Sequence, residues 1–103
     1  MANIFANIPR ELTTELFEDI VKNDAVQIER IVSKGHISPE SGWYEQQQNE
    51  WVILLKGHAI ILFENQNKVH LKPGDYVEIQ ALQKHKVSWT DPDNETIWLA
   101  VHY

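Results

Sequence analysis

Two carboxylates at the start of an apolar run are the first residues in this sequence that suggest chemistry. The stretch WYEQQQNEWVILLKG places Glu45 and Glu50 in a glutamine-rich patch that continues as WVILL. Burying a carboxylate is unfavourable unless a hydrogen-bond donor, an opposite charge or a metal ion compensates it. The patch is therefore either an acidic turn or part of a site, and the residues alone leave both interpretations open.

The elements that would position these carboxylates are short β-strands. Apolar segments rich in β-branched and aromatic residues alternate with turn sequences such as KPGD and DPDNE. The predicted strands are residues 26–33, 51–55, 58–63, 68–71, 75–79, 86–90 and 96–103. Strands at this spacing favour a sandwich or a closed barrel, because an open sheet would need both edges protected. We predict an all-β fold, a small antiparallel β-barrel with at most a short N-terminal helix.

The N-terminal segment does not follow this rhythm. In residues 11–25, Leu12, Leu16, Ile20 and Val21 fall near helical spacing, although FEDIV also suits an early strand. The structure of residues 11–25 is therefore left open. We treat residues 1–25 as a segment that packs on the barrel and residues 26–103 as the barrel domain.

Composition limits the classes of protein and partner. A chain of 103 residues corresponds to one domain. Without cysteine it has no disulfide framework, thiolate metal site or cysteine nucleophile. The net charge of −6, with basic residues scattered along the chain, argues against nucleic acid as a partner.

The sequence shows neither a secretory signal nor a membrane-spanning segment. The first residues, MANIFANIPRE, carry no basic region followed by an apolar stretch, so no secretory signal is predicted. No apolar run approaches the roughly 18 residues of a membrane span. We expect a cytoplasmic protein without a membrane partner.

Several motif elements, in order, resemble the cupin family of small jelly-roll barrels. Glu50 and Gly57 have six residues between them, and this spacing matches the end of the first cupin motif. Gly74, in PGDYVEI, and His85 match two positions of the second motif. The resemblance covers about residues 26–103 and implies a cupin-like jelly roll.

The metal site that this resemblance implies is incomplete. The two histidine positions of the first motif fall on residues 44 and 46, or on residues 43 and 45, and neither pair contains histidine. The implied ligands are Glu50, His85 and either Glu45 or Gln46. Such a depleted site would suit Mn, Fe, Zn or Ni, with Tyr44 as a catalytic acid or base. Glu50 as an ordinary strand-entrance residue and His85 as a pore-mouth histidine remain alternatives.

Strand alternation predicts the walls of a pocket, since residues i, i+2 and i+4 share a face. If His85 and Glu50 point inward, the residues two and four positions further along their strands do so too. Tryptophans beside these residues could stack on a planar ligand. The predicted pocket residues are Trp43, Val52, Leu54, Val87 and Trp89.

The remaining histidines are assigned less specific roles. We expect His58 and His70 to face solvent, and His36 to be a loop residue or a reserve ligand. His102 shares a strand face with Trp98 and Ala100. A buried hydrogen-bonding role for His102 is at least as well supported as a ligand role.

The same alternation leaves apolar residues on both faces of two strands. Trp51, Ile53 and Leu55 lie opposite the predicted pocket face, and residues 59–63 show the same doubling. A half-solvated strand would alternate with polar residues, so these strands should be covered on both sides. We predict a homodimer that buries Trp51, Ile53 or Phe63 in or near its interface.

Two classes of function follow. The first is a metal-dependent cupin enzyme with isomerase, lyase or oxygenase chemistry, and the second is a metal-free binding module. The missing histidines favour the second class, and the retention of Glu50 and His85 favours the first. The sequence narrowly favours a cupin that binds a small molecule through a divalent metal, and it leaves open the reaction and whether the protein is an enzyme.

Overall fold

The computed structural model describes residues 1–39 and 41–103, which form eight β-strands and no helix. The strands are β1 Leu16–Lys22, β2 Gln27–Ser33, β3 Glu50–Lys56, β4 Ala59–Phe63, β5 Lys68–Leu71, β6 Tyr76–Ile79, β7 His85–Thr90 and β8 Thr96–His102. Within the described ranges no helix could cross a membrane. The prediction of an all-β fold is confirmed.

The strands form two antiparallel sheets. The larger has the order β1-β2-β8-β3-β6, and the smaller has the order β5-β4-β7. Consecutive strands β3 and β4 belong to different sheets, so the chain crosses between the layers at Gly57. This pairing of sequence-distant strands gives the jelly-roll architecture that the sequence predicted.

The core lies between the two sheets and follows strand alternation. In β4, Ala59, Ile61 and Phe63 point inward and are buried, while Ile60 and Leu62 are only half-buried. The larger sheet faces them with buried apolar side chains. The packed cluster contains Val52, Leu54, Ala59, Ile61, Phe63, Leu71, Ile79, Trp98 and Ala100.

Residues 11–25, left open by the sequence, contain a strand and no helix. Strand β1 pairs with β2 in antiparallel register, with an irregularity between Asp19 and Val21. The FEDIV strand interpretation is therefore correct, and the helical spacing was misleading because an edge strand with exposed Ile20 and Val21 needs no strict alternation. Strand β1 is hydrogen-bonded into the larger sheet of the barrel. The predicted domain boundary at residue 25 stays a prediction.

A buried arginine fixes the N-terminal segment to the outer face of this sheet. Arg30 is 7% exposed, and its guanidinium donates to the carbonyl oxygens of Ile4 (3.1 Å), Ala6 (2.6 Å) and Asn7 (3.4 Å). It also binds the Glu18 carboxylate. Several donors of the one guanidinium are satisfied at once by this segment. These hydrogen bonds hold the N-terminal segment against the larger sheet, and the segment covers part of its outer face.

The residues predicted for a subunit interface do not share one face. Trp51 and Ile53 alternate with the core residues of β3 and lie half-buried on the outer face of the larger sheet. Phe63 is 7% exposed and belongs to the core cluster between the sheets. The alternation of β4 turns Phe63 inward, so of the three predicted interface residues only Trp51 and Ile53 lie on an outer face of the single chain.

Gly57 lies at the corner where β3 passes into β4. Its φ is +90°, and a Cβ atom built there would lie 2.4 Å from Thr96 Oγ1 and 2.7 Å from the Glu95 carbonyl oxygen. Gly74 has nearly the same φ, +94°, but no atom lies within 4 Å of a Cβ built there. An alanine at position 74 would therefore introduce backbone strain alone, whereas an alanine at position 57 would introduce both strain and a steric clash.

We expect Gly57→Ala to lower the free energy of unfolding by more than about 2 kcal/mol, because strain and clash add. The control Gly74→Ala carries the strain alone and should cost less. Urea denaturation of both variants measures the difference. Equal losses would show that the corner tolerates a side chain.

Candidate functional site

A cavity of about 230 Å³ lies between the inner faces of the two sheets. Apolar side chains from seven strands form its wall: Phe17 on β1, Ile31 on β2, Val52 on β3, Ile61 on β4, Ile79 on β6, Val87 on β7 and Trp98 on β8. This volume lies just below the range of about 300–1,000 Å³ that drug-sized ligands occupy. The cavity therefore suits a small metabolite.

Strand register brings polar groups together in this cavity. Glu50, the first residue of β3, pairs with His102, the last residue of β8. His85, the first residue of β7, places its Nε2 atom 3.6 Å from Glu50 Oε1. The predicted approach of Glu50 and His85, 35 positions apart in the chain, is thus present in the structure.

Glu50 and His85 form a buried contact, which is an ion pair when the imidazole is protonated. Their side chains are 12% and 7% exposed. His85 Nδ1 lies 3.0 Å from the Gln83 carbonyl oxygen, which can only accept, so Nδ1 carries a proton. Burial opposes protonation of Nε2, but the contact with Glu50 and the Gln83 carbonyl outweigh it, and the pKa of His85 is raised.

A second histidine and carboxylate form a parallel pair. His102 Nε2 lies 2.8 Å from Glu29 Oε1. This hydrogen bond raises the pKa of His102 against the opposing effect of burial, and the charges of Glu50 and Asp19 act in the same direction. His102 Nδ1 is buried and has no hydrogen-bond partner within residues 1–39 and 41–103.

Glu15 contributes a third carboxylate to the cavity wall. Burial raises its pKa, and a hydrogen bond from the Ser33 hydroxyl partly opposes the shift. Ser33 Oγ also accepts from Trp98 Nε1 at 3.3 Å. The serine thus links the carboxylate to the tryptophan of the wall.

The loop before β3 supplies the predicted residues Tyr44, Glu45 and Gln46, and all three line the cavity. Gln46 Nε2 donates to Glu50 Oε1 at 2.9 Å. Glu45 is exposed and lies 3.9 Å from Lys84 Nζ. Gln46, and not Glu45, therefore contacts Glu50.

Tyr44 lies beside His85. The two residues exchange backbone hydrogen bonds of 2.8 and 3.1 Å, and their ring centroids are 6.0 Å apart. The Tyr44 side chain is 47% exposed. This places the predicted acid or base at the cavity mouth, and its catalytic role stays a prediction.

The predicted pocket residues divide into two groups. Val52 and Val87 line the cavity as predicted, whereas Leu54 is fully buried deeper in the core cluster. Trp43 lies outside the cavity, with Lys86 Nζ 4.6 Å from its ring centroid.

Trp89 is also outside the cavity, because β7 is irregular. Ile60 pairs with Trp89 and Ile61 pairs with Val87, so Ser88 is an extra residue in the strand. A bulge of this kind reverses the alternation. Val87 therefore faces inward while Trp89 is 41% exposed on the outer face.

Sequence reasoning missed part of the site. Glu29 lines the cavity with Ile31, its neighbour at i+2 on β2, and alternation within VQIERIVS could have identified this face. Glu15 and Phe17 also line the cavity. They could not have been assigned while the structure of residues 11–25 was open. His102 has the buried hydrogen-bonding contact that alternation suggested.

The donor set does not fit a resident divalent ion. Within residues 1–39 and 41–103, no group of three or more His, Asp or Glu residues is arranged to hold a metal. Gln46 presents its amide N–H to Glu50, and Glu45 lies near Lys84. Resident sites for zinc use at least three protein ligands. The ligand set of Glu45, Gln46, Glu50 and His85 stays a prediction that this geometry does not favour.

Residues 30–102 match the family model described as a cupin domain. The chain belongs to the cupin family. A comparison with curated protein sequences found no match.

Solved structures of other cupins have the same architecture. A candidate mannose-6-phosphate isomerase from Ralstonia eutropha JMP134 is 38% identical, with 99% of this chain and 95% of that chain covered and a TM-score of 0.94. A cupin superfamily protein from Desulfitobacterium hafniense DCB-2 is 21% identical over 92% and 82% of the two chains, with a TM-score of 0.76. An RmlC-like cupin from Methanocaldococcus jannaschii, 22% identical over 93% and 85%, has a TM-score of 0.72 and is described as a double-stranded β-helix.

The two buried histidines make stability depend on pH. Each has a raised folded-state pKa. Their contribution to the free energy of unfolding is therefore fully present below the unfolded-state pKa of about 6.5. It is lost as the pH rises through the folded-state pKa. We expect the free energy of unfolding to fall across this window, and histidine NMR titrations to show both rings titrating above about 6.5.

The variant Glu29→Gln should lower the pKa of His102 and reduce this pH dependence, because the amide keeps an acceptor but loses the charge. Glu95→Gln, in the loop before β8, is the matched control and should change neither. A stability that rises from about pH 6.5 upward would contradict the assignment.

Proposed function

We propose that this cupin binds a small organic molecule in its cavity through its own side chains, without a resident metal ion. The observation that carries the proposal is the pair of histidine–carboxylate contacts, Glu50 with His85 and Glu29 with His102, in the wall of one cavity. Apolar walls with a few converging polar groups are typical of small-molecule sites.

The two pairs are suited to binding and to proton exchange. Each imidazole is held by a carboxylate, and each has a pKa raised from a value already near neutrality. Such groups can hydrogen-bond a ligand and give or take a proton near neutral pH. The proposal assigns binding to these residues and assigns no reaction.

The Ralstonia eutropha relative is named for a sugar phosphate as substrate. A phosphate group is usually bound by Arg, Lys or backbone N–H groups at a helix N-terminus. The described part of the chain contributes no Arg or Lys to the cavity lining. The composition of the wall therefore gives no support for extending that substrate to this chain.

The metal hypothesis and the metal-free proposal are separated by a titration of metal-stripped protein with Mn(II), Fe(II), Zn(II) and Ni(II). Because no three His, Asp or Glu residues of the described chain are arranged to hold an ion, we expect binding no tighter than about millimolar, which corresponds to about 4 kcal/mol. His85→Ala and Glu50→Gln should change this weak binding little. Micromolar binding that both substitutions abolish would establish the metal site and overturn the proposal.

We also propose that the protein forms a homodimer through the outer face of the larger sheet. Beyond the area covered near Arg30, this face presents Trp51, Ile53, Leu99 and Val101, all half-buried in the single chain. The Trp51 ring lies 5.5 Å from the ring of Tyr76, which is 66% exposed. A continuous apolar surface of this kind is typical of an interface.

Ile53 lies at the centre of this surface, paired with Leu99 and Tyr76. We expect Ile53→Glu to weaken dimerisation by at least about tenfold, or about 1.4 kcal/mol, because it buries an unpaired charge. Light scattering at micromolar concentration measures the mass. The control Ile60→Glu, on the outer face of the smaller sheet, should leave the mass unchanged. A monomeric wild-type protein would refute the dimer.

A further inference from the structure

We infer that the ligand of this cavity is a small organic cation, a protonated amine of about the size of cyclohexylammonium. The inference rests on the proposed metal-free binding and adds the chemical class of the ligand. It is carried by the charge of the wall, by its aromatic groups and by one buried nitrogen without a partner.

The charge of the wall is negative in every protonation state of its histidines. Among the described residues, four carboxylates line the cavity, and the only basic side chains in the lining are two imidazoles. With the carboxylates ionised, the wall has a net charge of −2 when both rings are protonated and −4 when both are neutral. The nearby Lys84 lies between Glu45 and Glu64 on the surface. An anionic ligand would be repelled, and a cation would be attracted.

Aromatic rings complete a cation-binding environment. Phe17, Tyr44 and Trp98 all line the cavity, from β1, from the loop before β3 and from β8. An ammonium group over an aromatic face is attracted by the negative potential of the ring, most strongly when it is desolvated. Carboxylates alone would attract a hydrated inorganic ion equally well, whereas carboxylates combined with aromatic and aliphatic walls favour an organic cation.

His102 provides the argument for a ligand with N–H groups. Its Nε2 faces Glu29, and its Nδ1 is buried without a partner in the described part of the chain. A cation beside the ring disfavours the protonated imidazole by like-charge repulsion. The neutral ring then leaves Nδ1 as an acceptor without a donor. Because Nδ1 is covered in this structure, the ring, which lines the cavity, has to turn for an ammonium N–H to reach it.

The size of the ligand follows from the cavity. A volume of about 230 Å³ equals that of about eight water molecules at about 30 Å³ each. Cyclohexylammonium and benzylammonium are of this size, and cyclohexanol and benzyl alcohol match them in shape without the charge. These two pairs separate charge from apolar fit.

The experiment is an NMR titration of the wild-type protein with each amine and its alcohol, followed through the indole N–H of Trp98 and the amides of the lining residues. We expect each amine to bind at least about tenfold more tightly than its alcohol. Mannose-6-phosphate serves as the anionic probe and should not bind. The two isosteric variants Glu29→Gln and Glu15→Gln should each weaken the amine by a larger factor than its alcohol, while Glu95→Gln should change neither.

The outcomes distinguish this inference from the proposed function. An alcohol that binds as well as its amine, or a sugar phosphate that binds more tightly, overturns the cationic ligand and leaves metal-free binding in place. If no probe shifts any lining residue at millimolar concentration, both are overturned. The comparison of isosteres in the wild-type protein decides the question even where a variant fails to fold.

Discussion

The cost of placing carboxylates in the wall of an apolar cavity is the constraint on which this site depends. An ionised carboxylate in such a place is strongly destabilised unless it is paired and hydrogen-bonded. Glu50 has the Gln46 amide and His85, and Glu29 has His102. Each pair draws its members from different strands, so the sheets must hold their register for the charges to be compensated.

The jelly-roll topology supplies that register. Strand β8 lies between β2 and β3 in the larger sheet, so its last residue, His102, is adjacent to Gln27 on one side and Glu50 on the other. His85 reaches Glu50 from the smaller sheet across the cavity. In a complete cupin site a metal ion would be the partner of the Glu50 carboxylate. In this chain the partner is another side chain. The Glu50 carboxylate is thus compensated from within the chain, by Gln46 and His85.

Much of this could be predicted from the sequence, because the relevant signals are local or periodic. The turn residues and apolar segments predicted the strands, and the motif spacing predicted that Glu50 and His85 approach each other. Alternation correctly placed Val52 and Val87 in the cavity wall. It failed at Trp89, because the extra residue Ser88 reverses the face of the strand, and a bulge leaves no clear signal in a single sequence.

The parts that were missed depend on long-range pairing. The position of Glu15 follows from the path of the N-terminal segment, which Arg30 fixes through carbonyl oxygens that every residue possesses. No residue type marks that contact in advance. The pairing of Glu29 with His102 joins positions 73 residues apart and requires the order of strands within the sheet. This pairing cannot be predicted from a sequence whose strand order is not assigned.

The central claim is that His85 and His102, and not a metal ion, compensate the Glu50 and Glu29 carboxylates of this cavity. The most direct measurement is elemental analysis of protein purified without a histidine tag and without added metal or chelator. The account predicts Mn, Fe, Ni and Zn each far below one ion per chain. A content of about one divalent ion per chain, retained through gel filtration, would contradict it.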